Sequence, residues 1–174
     1  MNRWFLLLSL AVIATVAGIY AYLGGFTTAE VELLTTKEPI FLAGRYFQGR
    51  ADSKDFGPLF RQAHQLQESG QLRGDLGNVY YNDPEAAGDT VKAFVGLIVA
   101  DTTSQTLPTG YRYSTFSGGQ RVVRARVQAS YMVAPDKLYS GIKHFAEQEK
   151  IKLGKVYVER FPAQGPVEVL ALVK

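Results

Sequence analysis

Residues Phe5 to Leu23 read FLLLSLAVIATVAGIYAYL, an apolar run without a single charge. Past Gly24-Gly25, which reads as a flexible joint, the pattern turns periodic. From Asp55, the residues Phe56, Leu59, Phe60, Ala63 and Leu66 recur on one face of a 3.6-residue period and predict an amphipathic helix. From Asp136, the residues Leu138, Tyr139, Ile142, Phe145 and Ala146 predict a second, and each Asp is placed to cap its helix. Before each helix lie two strand-like runs joined by a turn. In the first half these are Glu30 to Thr35 and Ile40 to Phe47, around Lys37-Glu38-Pro39. In the second they are Tyr111 to Phe116 and Arg121 to Ser130, around Ser117-Gly118-Gly119.

The halves also share a short sequence. Leu76-Gly77-Asn78-Val79-Tyr80 recurs as Leu153-Gly154-Lys155-Val156-Tyr157. A strand follows each copy, Lys92 to Val99 and then Val167 to Val173. Each half therefore reads strand–strand–helix–strand–strand, which predicts an α+β fold built as a duplicated ββαββ unit. The expected organisation is an anchor over residues 1–25 and one domain over 26–174, with halves of about 26–100 and 110–174. Asp101 to Thr109 serves as the link between halves. Two helices on one side of an antiparallel sheet flank a groove, and such grooves are where ligands bind by default.

The nineteen positions from Phe5 to Leu23 match the ~30 Å hydrocarbon core as a helix, so the run predicts a single transmembrane span through the lipid bilayer. Trp4 and the pair Tyr20 and Tyr22 stand where interfacial aromatics are expected. The competing reading is a cleaved signal peptide with Thr15-Val16-Ala17 before the cut, but the run outlasts the usual apolar core of a signal. Arg3 and the α-amino group precede the span, whereas Glu30 and Glu32 follow it and the first lysine is Lys37. The distribution of positive charge then puts the N-terminus in the cytoplasm and the body outside.

Composition narrows the classes. Apolar residues make up 47% and charged residues 20%, enough for a packed core. The absence of cysteine removes disulfide frameworks, zinc ribbons and thiol nucleophiles. Two histidines, His64 and His144, are too few for most His-based metal sites, and a metal or other cofactor is not expected. A net charge of +3 with no Lys/Arg run gives no nucleic-acid face.

The duplicated plan, with Glu159-Arg160-Phe161 after Val156-Tyr157, resembles the GyrI-like small-molecule-binding domains, whose motif is Glu-x-aromatic. The apolar N-terminal run, Val79-Tyr80-Tyr81-Asn82-Asp83-Pro84, Val95-Gly96-Leu97-Ile98 and the Tyr111 to Val127 hairpin resemble the membrane-anchored branch of that family. That branch comprises the testis-expressed proteins that act as receptors for autophagy of the endoplasmic reticulum. The resemblance implies a body facing the cytosol, opposite to the charge rule. It also implies that Glu159 lies at the base of an aromatic groove and meets cationic ligands, or acts as a general acid or base in related hydrolases.

Aligning the two LGxVY copies makes Asn82 the counterpart of Glu159. A glutamate walled by Tyr and Phe has its pKa raised by desolvation unless a cation restores the charge. The alternative is an outward strand glutamate in a surface pair. Tyr157, Phe161, Tyr80 and Tyr139 are the aromatic candidates around it, and Tyr81, Tyr113 and Tyr131 add further aromatic content. Each of these also fits a half-buried strand residue. Arg124 and Arg126 share a face with Gln128 and suit either an anionic partner or plain solvation. Phe56-Gly57-Pro58-Leu59 fits an aromatic-x-x-Leu peptide motif, although its Phe and Leu belong to the apolar helix face. No nucleophile elbow is evident.

The expected function is a membrane-anchored GyrI-like domain that binds a small amphipathic or cationic ligand between its helices. The alternatives are a tethered adaptor for a protein partner and, further off, a hydrolase of reactive small molecules with Glu159 and a neighbouring Tyr as acid and base.

Overall fold

The chain is described by a computed structural model over residues 3–83 and 90–174. The α-amino group and Pro84, both used above, lie outside those residues. Helix α1 (Arg3–Tyr22) is long and apolar enough to cross a membrane, and none of its residues is buried. The body follows as β1 (Glu30–Thr35), β2 (Ile40–Arg50), α2 (Phe56–Glu68), β3 (Asp75–Tyr80) and β4 (Thr90–Val99). It continues as β5 (Arg112–Phe116), β6 (Arg121–Val127), α3 (Ala134–Gln148), β7 (Leu153–Phe161) and β8 (Val167–Val173). The fold is α+β, and its eight strands form one antiparallel sheet in the order β1-β6-β8-β7-β3-β4-β2-β5.

That order forces the sheet to curl. β1 and β2 stand six strand spacings apart, which in a flat sheet is roughly 29 Å. The chain from Thr35 to Ile40 spans at most about 18 Å when fully extended. The same holds for β5 and β6, joined through residues 117–120. The ends of the sheet must therefore approach each other, and Thr36 N–H donates to the Gln120 carbonyl at 2.8 Å while Gly119 N–H donates back to Thr36 at 2.7 Å. Curling buries an apolar cluster on the helix-free face: Leu42, Val79, Phe94, Phe116, Val122, Val158 and Leu170. Phe116 and Val122 come from opposite ends of the sheet and meet there.

Three glycines make the bend. Gly44 pairs with Gly96, and Gly96 pairs with Gly77, so they form a row across β2, β4 and β3. A Cβ on Gly96 would drive into the Ala43 carbonyl, one on Gly44 into Val95, and one on Gly77 would stand 2.6 Å from the Glu159 carbonyl oxygen. A sheet creased this closely admits no side chain along the row.

Both helices lie on the other face. α2 packs on β2, β3 and β4, and α3 on β1, β6 and β8. The central strand β7 runs between the strands the two helices cover. The predicted apolar faces are the packed ones: Leu59 and Ala63 in α2, and Leu138, Tyr139, Ile142 and Ala146 in α3, are buried. The predicted caps are not made. Asp55 stands at the N-cap of α2 without a side-chain hydrogen bond. Asp136 sits inside the first turn of α3, which begins earlier because Pro135 is preset for a helix start. β6 ends at Val127, three residues before the expected Ser130.

The Gly24-Gly25 joint is also not free. Ser130 N–H donates to the Leu23 carbonyl at 3.0 Å, and Thr27 Oγ1 donates to the Gln128 carbonyl at 3.1 Å. Lys137 Nζ donates to the carbonyls of Gly25 (2.6 Å) and Thr27 (2.8 Å). Gly24 takes a positive φ and lies against Ala129, so the glycine serves close approach, not mobility.

Candidate functional site

Strand alternation on β7 puts Tyr157, Glu159 and Phe161 on the helix side, between α2 and α3. Tyr157 and Phe161 belong to the cluster under α3, whereas Val156 and Val158 belong to the opposite face. Glu159 is only 6% exposed. Tyr139 reaches down from α3, and its hydroxyl donates to Glu159 Oε1 at 2.6 Å. Tyr139 and Tyr157 lie with ring centroids 5.6 Å apart. Tyr80 pairs directly with Tyr157 across the β3–β7 ladder and packs against the clusters beneath both helices. Four of the predicted site residues, Glu159, Tyr157, Tyr139 and Tyr80, thus converge. Phe161 stands half-buried two residues beyond Glu159 on the same face.

The electrostatics follow from burial. Desolvation pushes the Glu159 carboxyl above its ordinary range, against the opposing pull of the Tyr139 hydroxyl and the Asn78 amide. The phenols of Tyr139 and Tyr80 are pushed up by their own burial and then by the carboxylate beside them, so both stay protonated donors. Among the described residues no Lys or Arg pairs with Glu159.

Asn78 is the site residue that the sequence reading missed. It faces Glu159 across the ladder and is fully buried, and its amide, short of full hydrogen-bond geometry, still acts on the carboxyl and holds its pKa down. Its signal was a polar residue in mid-strand between Gly77 and Val79, on the same face as Tyr80. Asn82, the alignment counterpart of Glu159, holds the turn into β4 instead: its amide donates to the Thr90 carbonyl at 2.7 Å and accepts from Lys92 N–H at 2.8 Å.

The remaining candidates separate from this site. Arg124 and Arg126 face away from the helices and are met by Glu30 and Glu32 of β1 and by Glu168 of β8, so the stripe is an ion-paired sheet surface. His64 Nδ1 lies 3.3 Å from Glu68, an i,i+4 acidic partner that the sequence reading overlooked. No group of metal-ligating side chains occurs among the described residues. Leu59 is buried and Phe56 half-buried, which removes the aromatic-x-x-Leu motif from the surface. Tyr81 and Tyr113 line a cavity of about 420 Å³ on the helix-free side with Tyr46, Phe94, Arg112 and Ser114. There the Arg112 guanidinium lies over the Tyr46 and Phe94 rings at 5.9 and 5.8 Å. Tyr131 is 73% exposed, beside the end of α1.

Comparison with sequence families finds no match, and neither does comparison with characterised proteins. Solved structures do match in fold. SAV2435 bound to tetraphenylphosphonium superposes with a TM-score of 0.55 at 12% identity, over 83% of this chain and 94% of that one. An integron cassette protein from the mobile metagenome of Vibrio cholerae gives 0.57 at 11% identity, over 84% and 96%. The EcmrR C-terminal domain gives 0.54 at 12% identity, over 85% and 98%. These likenesses, at 11–12% identity, show that the body shares its fold with those proteins.

Proposed function

We propose that the chain is a membrane-anchored GyrI-like domain that binds a small amphipathic or cationic molecule over β7 and β3, with Glu159 at the base. The observation that carries this reading is a buried carboxyl, ringed by Tyr80, Tyr139 and Tyr157, with no basic partner among the described residues. A carboxylate in such surroundings favours a cation through Coulomb attraction in a partly desolvated wall, and the tyrosine rings add their faces. The cation bound by SAV2435 is of this chemical kind. We read the strand order as two ββαββ units related by a two-fold axis between β3 and β7. Exchanging the halves reverses the order and leaves it otherwise unchanged. The anchored branch of the family is the reading of α1 together with that body.

The test is a dye-displacement titration of the full chain in detergent micelles with tetraphenylphosphonium, other aromatic cations and neutral aromatics of similar size. Glu159→Gln keeps the shape and removes the charge. Losing one partner of a buried charge pair costs about 2–5 kcal/mol, roughly thirty-fold to several-thousand-fold in affinity. Cations should weaken by that factor and neutral compounds should not. Equal affinities across the panel would overturn the assignment.

A further inference from the structure

We infer that the loop between β6 and α3 is a second membrane contact: Tyr131 and Met132 enter the headgroup layer beside the end of α1 and hold the body at a fixed height. The inference rests on the reading of α1 as a bilayer span. Outside α1, the large apolar side chains that stand exposed among the described residues are five: Phe26, Tyr46, Tyr81, Tyr131 and Met132. Tyr46 and Tyr81 line the cavity already described. The other three, 72%, 73% and 69% exposed, gather at the junction with α1. The Phe26 ring stacks edge-on against Tyr20 at 5.0 Å, and Ser130, next to Tyr131, donates to the Leu23 carbonyl at 3.0 Å.

Distance puts both residues within reach of the headgroup layer once α1 spans. Twenty helical residues cover about 30 Å, so Tyr22 marks the edge of the hydrocarbon. Tyr131 and Met132 follow Ser130 by one and two residues, which places their backbone within about 4–8 Å of the atom that bonds Leu23. A headgroup layer is of about that depth, roughly 5–8 Å on each side.

Charge placement agrees. No Asp, Glu, Lys or Arg occurs between Trp4 and Ala29, or between Val127 and Pro135. Charges resume on both segments at Glu30, Arg126 and Asp136, where water begins. Lys137, in the first turns of α3, turns its ammonium onto the carbonyls of Gly25 and Thr27 and so ties the end of the loop to the segment after α1. Tyrosine at such a level buries its ring and keeps its hydroxyl wet.

The experiment uses the full chain with Trp4→Phe, reconstituted in phosphatidylcholine vesicles. Tyr131→Trp then reports depth through quenching by lipids brominated near the headgroup. Lys54→Trp is the control, on the turn after β2. Five antiparallel pairings separate β2 from β6, so that turn lies at the opposite end of the sheet. The expected result is several-fold stronger quenching and a blue-shifted emission for Tyr131→Trp. Vesicle-bound protein with equal quenching at the two positions would overturn the loop contact and leave the anchor standing. Failure of the chain to float with the vesicles would overturn the anchor and the loop contact together.

Discussion

Tyr139 on α3 donates its hydroxyl to Glu159 on β7 at 2.6 Å, joining a helix to the buried carboxyl of the strand beneath it. Replacing Tyr139 by Phe removes that donor and leaves the ring. A hydrogen bond to a charged group contributes about 1.5–3 kcal/mol. Urea unfolding should show Tyr139→Phe less stable by about that amount at pH values above the one where Glu159 ionises in the folded chain. The deficit should shrink at pH 4, where the carboxyl is neutral.

The sign of the pH dependence is fixed by the direction of the Glu159 shift. Its folded pKa lies above the ordinary 4.5, so the folded chain holds a proton that the unfolded chain has released. Stability from this group is full below the unfolded value and is lost as pH rises through the folded one. The slope from one proton is at most about 1.4 kcal/mol per pH unit. Glu159→Gln should remove that slope from the pH series of unfolding free energies. An unchanged slope in the variant would show that the carboxyl titrates like a solvated one.

The glycine row separates two substitutions of the same chemistry. Gly96→Ala forces a methyl into the Ala43 carbonyl within the crease and should cost about 3 kcal/mol or lower the soluble yield outright. Gly57→Ala lies in the first turn of α2, where beyond its chain neighbours the added Cβ meets the end of the Arg61 side chain at 3.5 Å. The helix propensity gained is offset by the crowding of a Cβ before Pro58, so the change should stay within about 0.5 kcal/mol. Thermal melts of the two variants check the difference.

Lys137→Met keeps the aliphatic stem and removes the ammonium that holds the carbonyls of Gly25 and Thr27. Loss of those charge-assisted bonds should speed amide exchange at Thr27 and Ser130 by roughly 10- to 100-fold, from about 1.5–3 kcal/mol. Exchange at Val169 and Ala171, in the core, should not change.

The helices and most strands were legible because their signals are local. The spacing of Leu59 and Ala63, or of Leu138 and Ile142, states which face is buried whatever lies opposite. Glu159 and Tyr157 were legible as neighbours for the same reason, two positions apart on one strand. Partners distant in sequence were not. Nothing in Glu30 to Thr35 announces that it pairs with β6 and not with β2, and the bend through Gly44, Gly96 and Gly77 exists only once three separate strands align. Asn78 was hidden inside the repeat that located its neighbours. Lys137 looked like a surface lysine because the carbonyls it holds are about 110 residues upstream.

The exchange of outer strands also sets a clock on synthesis. β1 pairs with β6 alone, and Val31 finds its partner Ala125 only 94 positions later. At roughly 5–20 residues per second a ribosome needs about 5–20 s to make up that interval. Through that time the first strand of the body waits unpaired behind a hydrophobic helix. The N-terminal half is thus not a folding unit: its first strand is taken up by a strand of the half made after it.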